Sequence, residues 1–115
     1  MALPTGSGSE VLKRKMMSLD NSSATLTVPA LHIYTIISIN IMRNNAAKSD
    51  TDIYLNDGST NVQLTNGQGG SEVPGWGTFV YNDRIVLMSG DSISVIERDG
   101  GALDVWISYI DQDWT

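Results

Sequence analysis

Strict two-residue alternation is the feature that most constrains this chain. In "LHIYTIISINIM" the side chains of Leu31, Ile33, Thr35, Ile37, Ile39 and Ile41 fall on one side, and His32, Tyr34, Ile36, Ser38, Asn40 and Met42 on the other. A period of two belongs to the pleated strand, where successive side chains point to opposite faces. The density of β-branched residues favours the same state, because their stiff side chains suit a half-buried sheet surface. The rhythm returns in "DIYLND", "NVQLTN", "RIVLM", "SISVIE" and "LDVWISYI". No stretch combines helix caps with a 3.6-residue apolar stripe, so no helix is expected.

Turn chemistry separates the strands. Asp57-Gly58 within "DGST" predicts a hairpin between "DIYLND" and "NVQLTN". Ser89-Gly90-Asp91 and "RDGG" mark further turns, and Pro29 ends "TLTVPA" because it cannot donate to a ladder. Roughly eight or nine short strands at this spacing predict an all-β fold, an antiparallel β-sandwich of jelly-roll type with an extended N-terminal arm. The expected core is Ile33, Ile37, Ile39, Ile41, Ile53, Leu55, Val62, Leu64, Val80, Ile85, Leu87, Ile93, Val95, Leu103, Val105 and Ile107.

A length of 115 residues suits one domain. The opening "MALPTGSGS" is small and rich in Gly, Ser and Pro, which reads as an arm, and an extended strand follows from Glu10. Residues 1–17 are therefore expected to form the arm and its strand, and residues 18–115 the sandwich.

Several function classes are disfavoured. Thirteen acidic residues against seven basic ones give a net charge of −6, which argues against nucleic acid as a partner. No apolar run is long enough for a membrane helix, and the first residues lack the pattern of a secretory leader. With no cysteine there is no disulfide framework, thiolate metal site or thiol nucleophile. His32 is the one imidazole, and neither a nucleophile elbow nor a phosphate-binding glycine loop accompanies it. Asp50, Asp52 and Asp57 do not follow a calcium loop, since Tyr54 stands where the third acid belongs. Asp111 and Asp113 are expected in an exposed tail, a poor place for carboxylate catalysis. No cofactor, no metal and no catalytic residue is expected.

What remains is material for contacts. Val86 and Met88 alternate with Ile85 and Leu87, so both faces of that strand are apolar and one needs cover. Trp106 points away from Leu103, Val105 and Ile107. Trp76 joins it as an aromatic suited to a protein interface or to stacking on a sugar ring. Lys13, Arg14 and Lys15 form the sharpest charge contrast in an acidic chain. These seven residues, Lys13, Arg14, Lys15, Trp76, Val86, Met88 and Trp106, are the expected partner-binding set.

Three segments carry a resemblance. "TLTVPALHIYTIISINIMRNNAAKSDTDIYLNDG", "TFVYNDRIVLMSGDSISV" and "LDVWISYID" resemble small virion proteins of tailed bacteriophages, of the kind found in phages of marine bacteria and cyanobacteria. The matching positions include Val28, Pro29, Ala30, Tyr34, Ile36, Ser38 and Ile39, then Gly90, Asp91, Ser92 and Ile93 in a hairpin, and Ser108, Tyr109, Ile110 and Asp111 in a closing strand. The resemblance implies a non-enzymatic structural role in the virion. It favours a capsid decoration, or cement, protein that is a homotrimer and bridges subunits of the major capsid protein. A neck, tail or fibre component with a glycan- or receptor-binding sandwich is the alternative.

Overall fold

The computed structural model describes residues 9–20, 22–43, 49–65, 72–73, 77–97 and 102–115. They form β1 (Ser9–Asp20), β2 (Ser23–Thr27), β3 (His32–Arg43), β4 (Ser49–Asn56), β5 (Asn61–Thr65), β6 (Glu72–Val73), β7 (Thr78–Tyr81), β8 (Ile85–Leu87), β9 (Ser92–Glu97) and β10 (Ala102–Asp113). No helix occurs among the described residues.

The strands make two antiparallel sheets. The first has the order β1-β10-β3-β7, with β8 also on β3; the second has the order β2-β9-β4-β5, with β6 also on β4. One hydrophobic cluster joins them. Leu19, Ile36, Ile39, Ile41, Leu103, Val105 and Ile107 from the first sheet meet Leu26, Ile53, Ile93 and Val95 from the second. Burial of such side chains, about 1.5–3 kcal/mol each before entropy is subtracted, is the main force holding the two sheets together.

The alternation holds without a break in β9 and β10, but it reverses in β3. Tyr34 and Ile36 are buried in its first half, and Ile39, Ile41 and Arg43 in its second. The cause is a bulge. Ser108 stands opposite Ser38 but Tyr109 stands opposite Ile36, so Ile37 is the extra residue. One extra residue in a period of two exchanges the faces. Ile33 and Ile37 are therefore not in the core as expected, and Tyr34 and Ile36 are.

Two more core expectations fail for other reasons. Val80 pairs with Asn40 and faces outward, while its neighbours Phe79 and Tyr81, opposite Ile41 and Ile39, pack inward. Val62 lies opposite Leu55 on β5, which ends its sheet, and stays half-exposed. Leu55, Leu64 and Ile85 pack against the core from its margin.

The "DGST" hairpin forms as expected between β4 and β5. Asp57 Oδ1 accepts from the main-chain N–H of Ser59 and Thr60 at 3.0 and 2.7 Å, and Gly58 takes a positive φ of 98°. The Ser89-Gly90-Asp91 turn behaves differently. Gly90 adopts φ 88° and Asp91 Oδ2 accepts from Met88 N–H at 2.8 Å, so the chain does turn sharply. Yet β8 pairs with β3 and β9 with β2 and β4, so the turn carries the chain from one sheet to the other and is not a hairpin. It is tied to the end of β2 by Val28 N–H to Asp91 O and Gly90 N–H to Val28 O.

Ser9–Asp20 is a strand of the chain's own first sheet, paired with β10 from Ser9↔Asp113 to Asp20↔Ala102. The expected boundary between residues 17 and 18 falls inside it. Residues 1–8 lie outside the described residues.

Candidate functional site: the outer face and the ends of the first sheet

The residues that carry chemistry cluster on three parts of the first sheet. Its outer face comes from alternate positions of β1, β10, β3 and β7. Leu12, Arg14 and Met16 project from β1, and Met16 stands directly opposite Trp106 of β10. Asn40 and Met42 follow on β3, and Val80 on β7. Leu12 is 71% exposed, Met16 57%, Met42 52%, Val80 47% and Trp106 42%. An open apolar groove between β1, β10 and β3 is lined by Met16, Asn40, Met42, Asp104 and Trp106. The Arg14 guanidinium lies 5.3 Å from the centre of the Trp106 ring, within reach of a cation–π contact.

At one end of the inner face lies a polar cluster. Lys13 Nζ and His32 Nδ1 each approach the Asp111 carboxylate at 2.7 Å, one on each oxygen. His32 Nε2 is 3.5 Å from Asp113 Oδ1. Period two places Asp111 and Asp113 on one face of β10, and pairing brings Lys13 of β1 and His32 of β3 to either side. Tyr34 and Tyr109 stack beneath, with ring centres 4.6 Å apart.

Burial of the Asp111 carboxyl pushes its pKa up, but the hydrogen bonds and charges of Lys13 and His32 outweigh burial and hold it below its ordinary value. The bond to Asp111 raises Lys13 in turn. Burial, then the nearby Tyr109 and Asp111, push the Tyr34 phenol up. The arrangement ties three strands together through one buried carboxylate. Asp111 is thus not in an exposed tail as the sequence suggested; it is almost wholly buried. The nearby Ser89 hydroxyl donates to the main-chain carbonyl of His32 at 3.0 Å.

At the other end, Arg43 Nη1 and Glu97 Oε1 lie 3.2 Å apart with both side chains fully buried, one from each sheet. Thr51, the register partner of Glu97, is buried, and so is its neighbour Asp52.

The expected partner-binding residues distribute unevenly. Arg14 and Trp106 come together on the outer face. Lys13 turns to the opposite side and is engaged by Asp111. Lys15 is exposed, two residues further along the same strand. Val86 is exposed on β8 opposite Thr35, and Met88 is half-buried at the sheet-to-sheet turn. Trp76 lies outside the described residues. Sequence reasoning missed the Lys13–Asp111–His32 cluster and the Arg43–Glu97 pair. Only the same-face spacing of Asp111 and Asp113 hinted at the first.

No protein family matches the chain, and no curated protein matches it. Among solved structures, its fold is similar to the Drosophila NLP core, described for pentamer formation and histone binding, with 12% identity over 85% of this chain and 96% of that one and a TM-score of 0.53. A pentameric capsid protein from metagenomic phage sequences matches at 16% identity over 87% of this chain with a TM-score of 0.47. Bacillus endospore appendages, which form disulfide-linked pili, match at 11% identity over 100% of this chain and 97% of that one with a TM-score of 0.49. The chain spans 61% of the length of the capsid protein.

Proposed function

We infer that the chain is a non-enzymatic virion structural protein that works as a homo-oligomer. The observation that carries this reading is the outer face of the first sheet, where Leu12, Met16, Met42, Val80 and Trp106 stand exposed together. An apolar face of this kind belongs against another polypeptide. The strand order supports a jelly-roll sandwich, an architecture common in viral capsid proteins: β1-β10-β3-β7 in one sheet and β2-β9-β4-β5 in the other interleave the early and late strands of the chain. The resemblance of its sequence to small phage virion proteins points the same way.

Within that class the reading is a capsid decoration protein that bridges copies of the major capsid protein, three copies assembling through the outer face. The test is light scattering coupled to size exclusion for the intact chain and for Trp106→Glu and Met42→Glu, together with binding to capsids built from the major capsid protein of the same phage. Wild type is expected as one symmetric oligomer that binds capsids, and both variants as smaller folded species that do not. A wild-type monomer at high concentration overturns the oligomer, and a wild-type oligomer that ignores capsids overturns decoration. The exposed Trp106 beside an open groove favours a second reading, a sugar-binding tail or fibre module. Loss of glycan-array binding in Trp106→Ala would favour it.

A further inference from the structure

We propose that the free edge of β1 is a docking site for an extended acidic segment of another polypeptide, which adds to the first sheet as an antiparallel strand. β1 ends its sheet, and among the described residues no strand pairs with its other edge. Its register with β10 runs through Ser9 to Asp20 without a bulge, and it contains no proline. Those are two of the usual devices that spoil an edge for pairing. A long straight edge of this kind offers a row of main-chain donors and acceptors to an incoming strand.

Charge decides which strand fits. Lys13, Arg14 and Lys15 sit consecutively in the middle of β1, three of the seven basic residues in a chain with thirteen acidic ones. A second copy of β1 laid antiparallel about Arg14 would set Arg14 against Arg14 and Lys13 against Lys15. Like charges directly opposite are destabilising, so the edge rejects its own kind. A strand with consecutive acidic residues at that register meets Arg14 on one face and Lys15 on the other, and both are within reach of solvent. Arg14, held over Trp106, is already oriented. The inference stands on β1 alone and holds whether or not the partner belongs to a virion.

The probe is the synthetic peptide Thr-Val-Thr-Glu-Asp-Glu-Thr-Val-Thr, measured by fluorescence anisotropy and by amide hydrogen exchange. Two controls accompany it: a peptide with a Lys-Arg-Lys centre, and a pair of acidic peptides N-methylated on alternate residues so that one or the other edge is blocked. The acidic peptide is expected to bind at least about tenfold more tightly than the basic one and to slow exchange in residues 9–18. At least one N-methylated peptide is expected to lose binding. Arg14→Glu/Lys15→Glu, which leaves Lys13 and its bond to Asp111 intact, is expected to reverse the preference. Equal binding of acidic and basic peptides, unchanged exchange in β1, or full binding by both N-methylated peptides overturns the proposal. Its failure would leave the oligomer and capsid measurements above untouched.

Discussion

Arg43 and Glu97 form a fully buried ion pair, 3.2 Å apart, that joins β3 of one sheet to β9 of the other. A buried pair gains little over a well-packed apolar replacement, but removing one member takes a counter-charge away from a fully buried ion. Arg43→Met and Glu97→Gln, each alone, are expected to cost about 3–5 kcal/mol in urea unfolding. Arg43→Met/Glu97→Leu is expected to recover most of that loss. Single variants as stable as wild type would mean that the pair is hydrated in solution.

The Asp111 carboxylate gives the protein a sensitivity to acid. Its folded pKa lies below the ordinary value of 3.8, despite burial, because Lys13 and His32 hold the charged form. A depressed folded pKa contributes stability that is fully present above the unfolded value and is lost as pH falls through the folded one. Wild-type stability is therefore expected to drop as pH falls below about 4, and Asp111→Asn to flatten that slope. Urea midpoints measured from neutral pH down to acid check this. Parallel slopes for the two proteins would refute the assignment.

The bulge in β3 makes neighbouring isoleucines unequal. Ile36 is fully buried, and Ile37 is the extra residue at the register shift. Ile36→Ala is expected to cost about 2–5 kcal/mol and Ile37→Ala distinctly less. Chemical denaturation of the two variants reads the face exchange directly. The reverse ranking would place the bulge elsewhere.

Gly90 holds the sheet-to-sheet turn at φ 88°, and a Cβ added there would meet nothing within 4 Å. The cost of Gly90→Ala is therefore backbone strain alone, about 1–2 kcal/mol. A fall in thermal midpoint with unchanged oligomeric state is the expected result.

The strand content and the hairpin at Asp57-Gly58 could be read from the chain because each depends on neighbours in sequence. The inward set of β9 and β10 was legible for the same reason: nothing interrupts their two-residue phase. In β3 that phase breaks at Ile37, and the break is defined only by which residues of β10 lie opposite, a fact of pairing and not of composition. The Asp111 cluster was hidden for a related reason. Lys13, His32 and Asp111 come from three strands far apart in the sequence, and no local spacing announces them. The turn at Gly90 shows the converse. Its residues specify a reversal correctly, but whether the two arms then pair or part depends on where β3 and β4 already are.

The place of β10 also orders events at the ribosome. It is synthesised after every other described strand, yet it lies between β1 and β3 and hydrogen-bonds to both. The nascent chain must therefore wait, with its first strand unmated, until β10 emerges. A chain cut before Ala102 would keep β1 and β3 but lose the strand that bonds to both, leaving a slot between them.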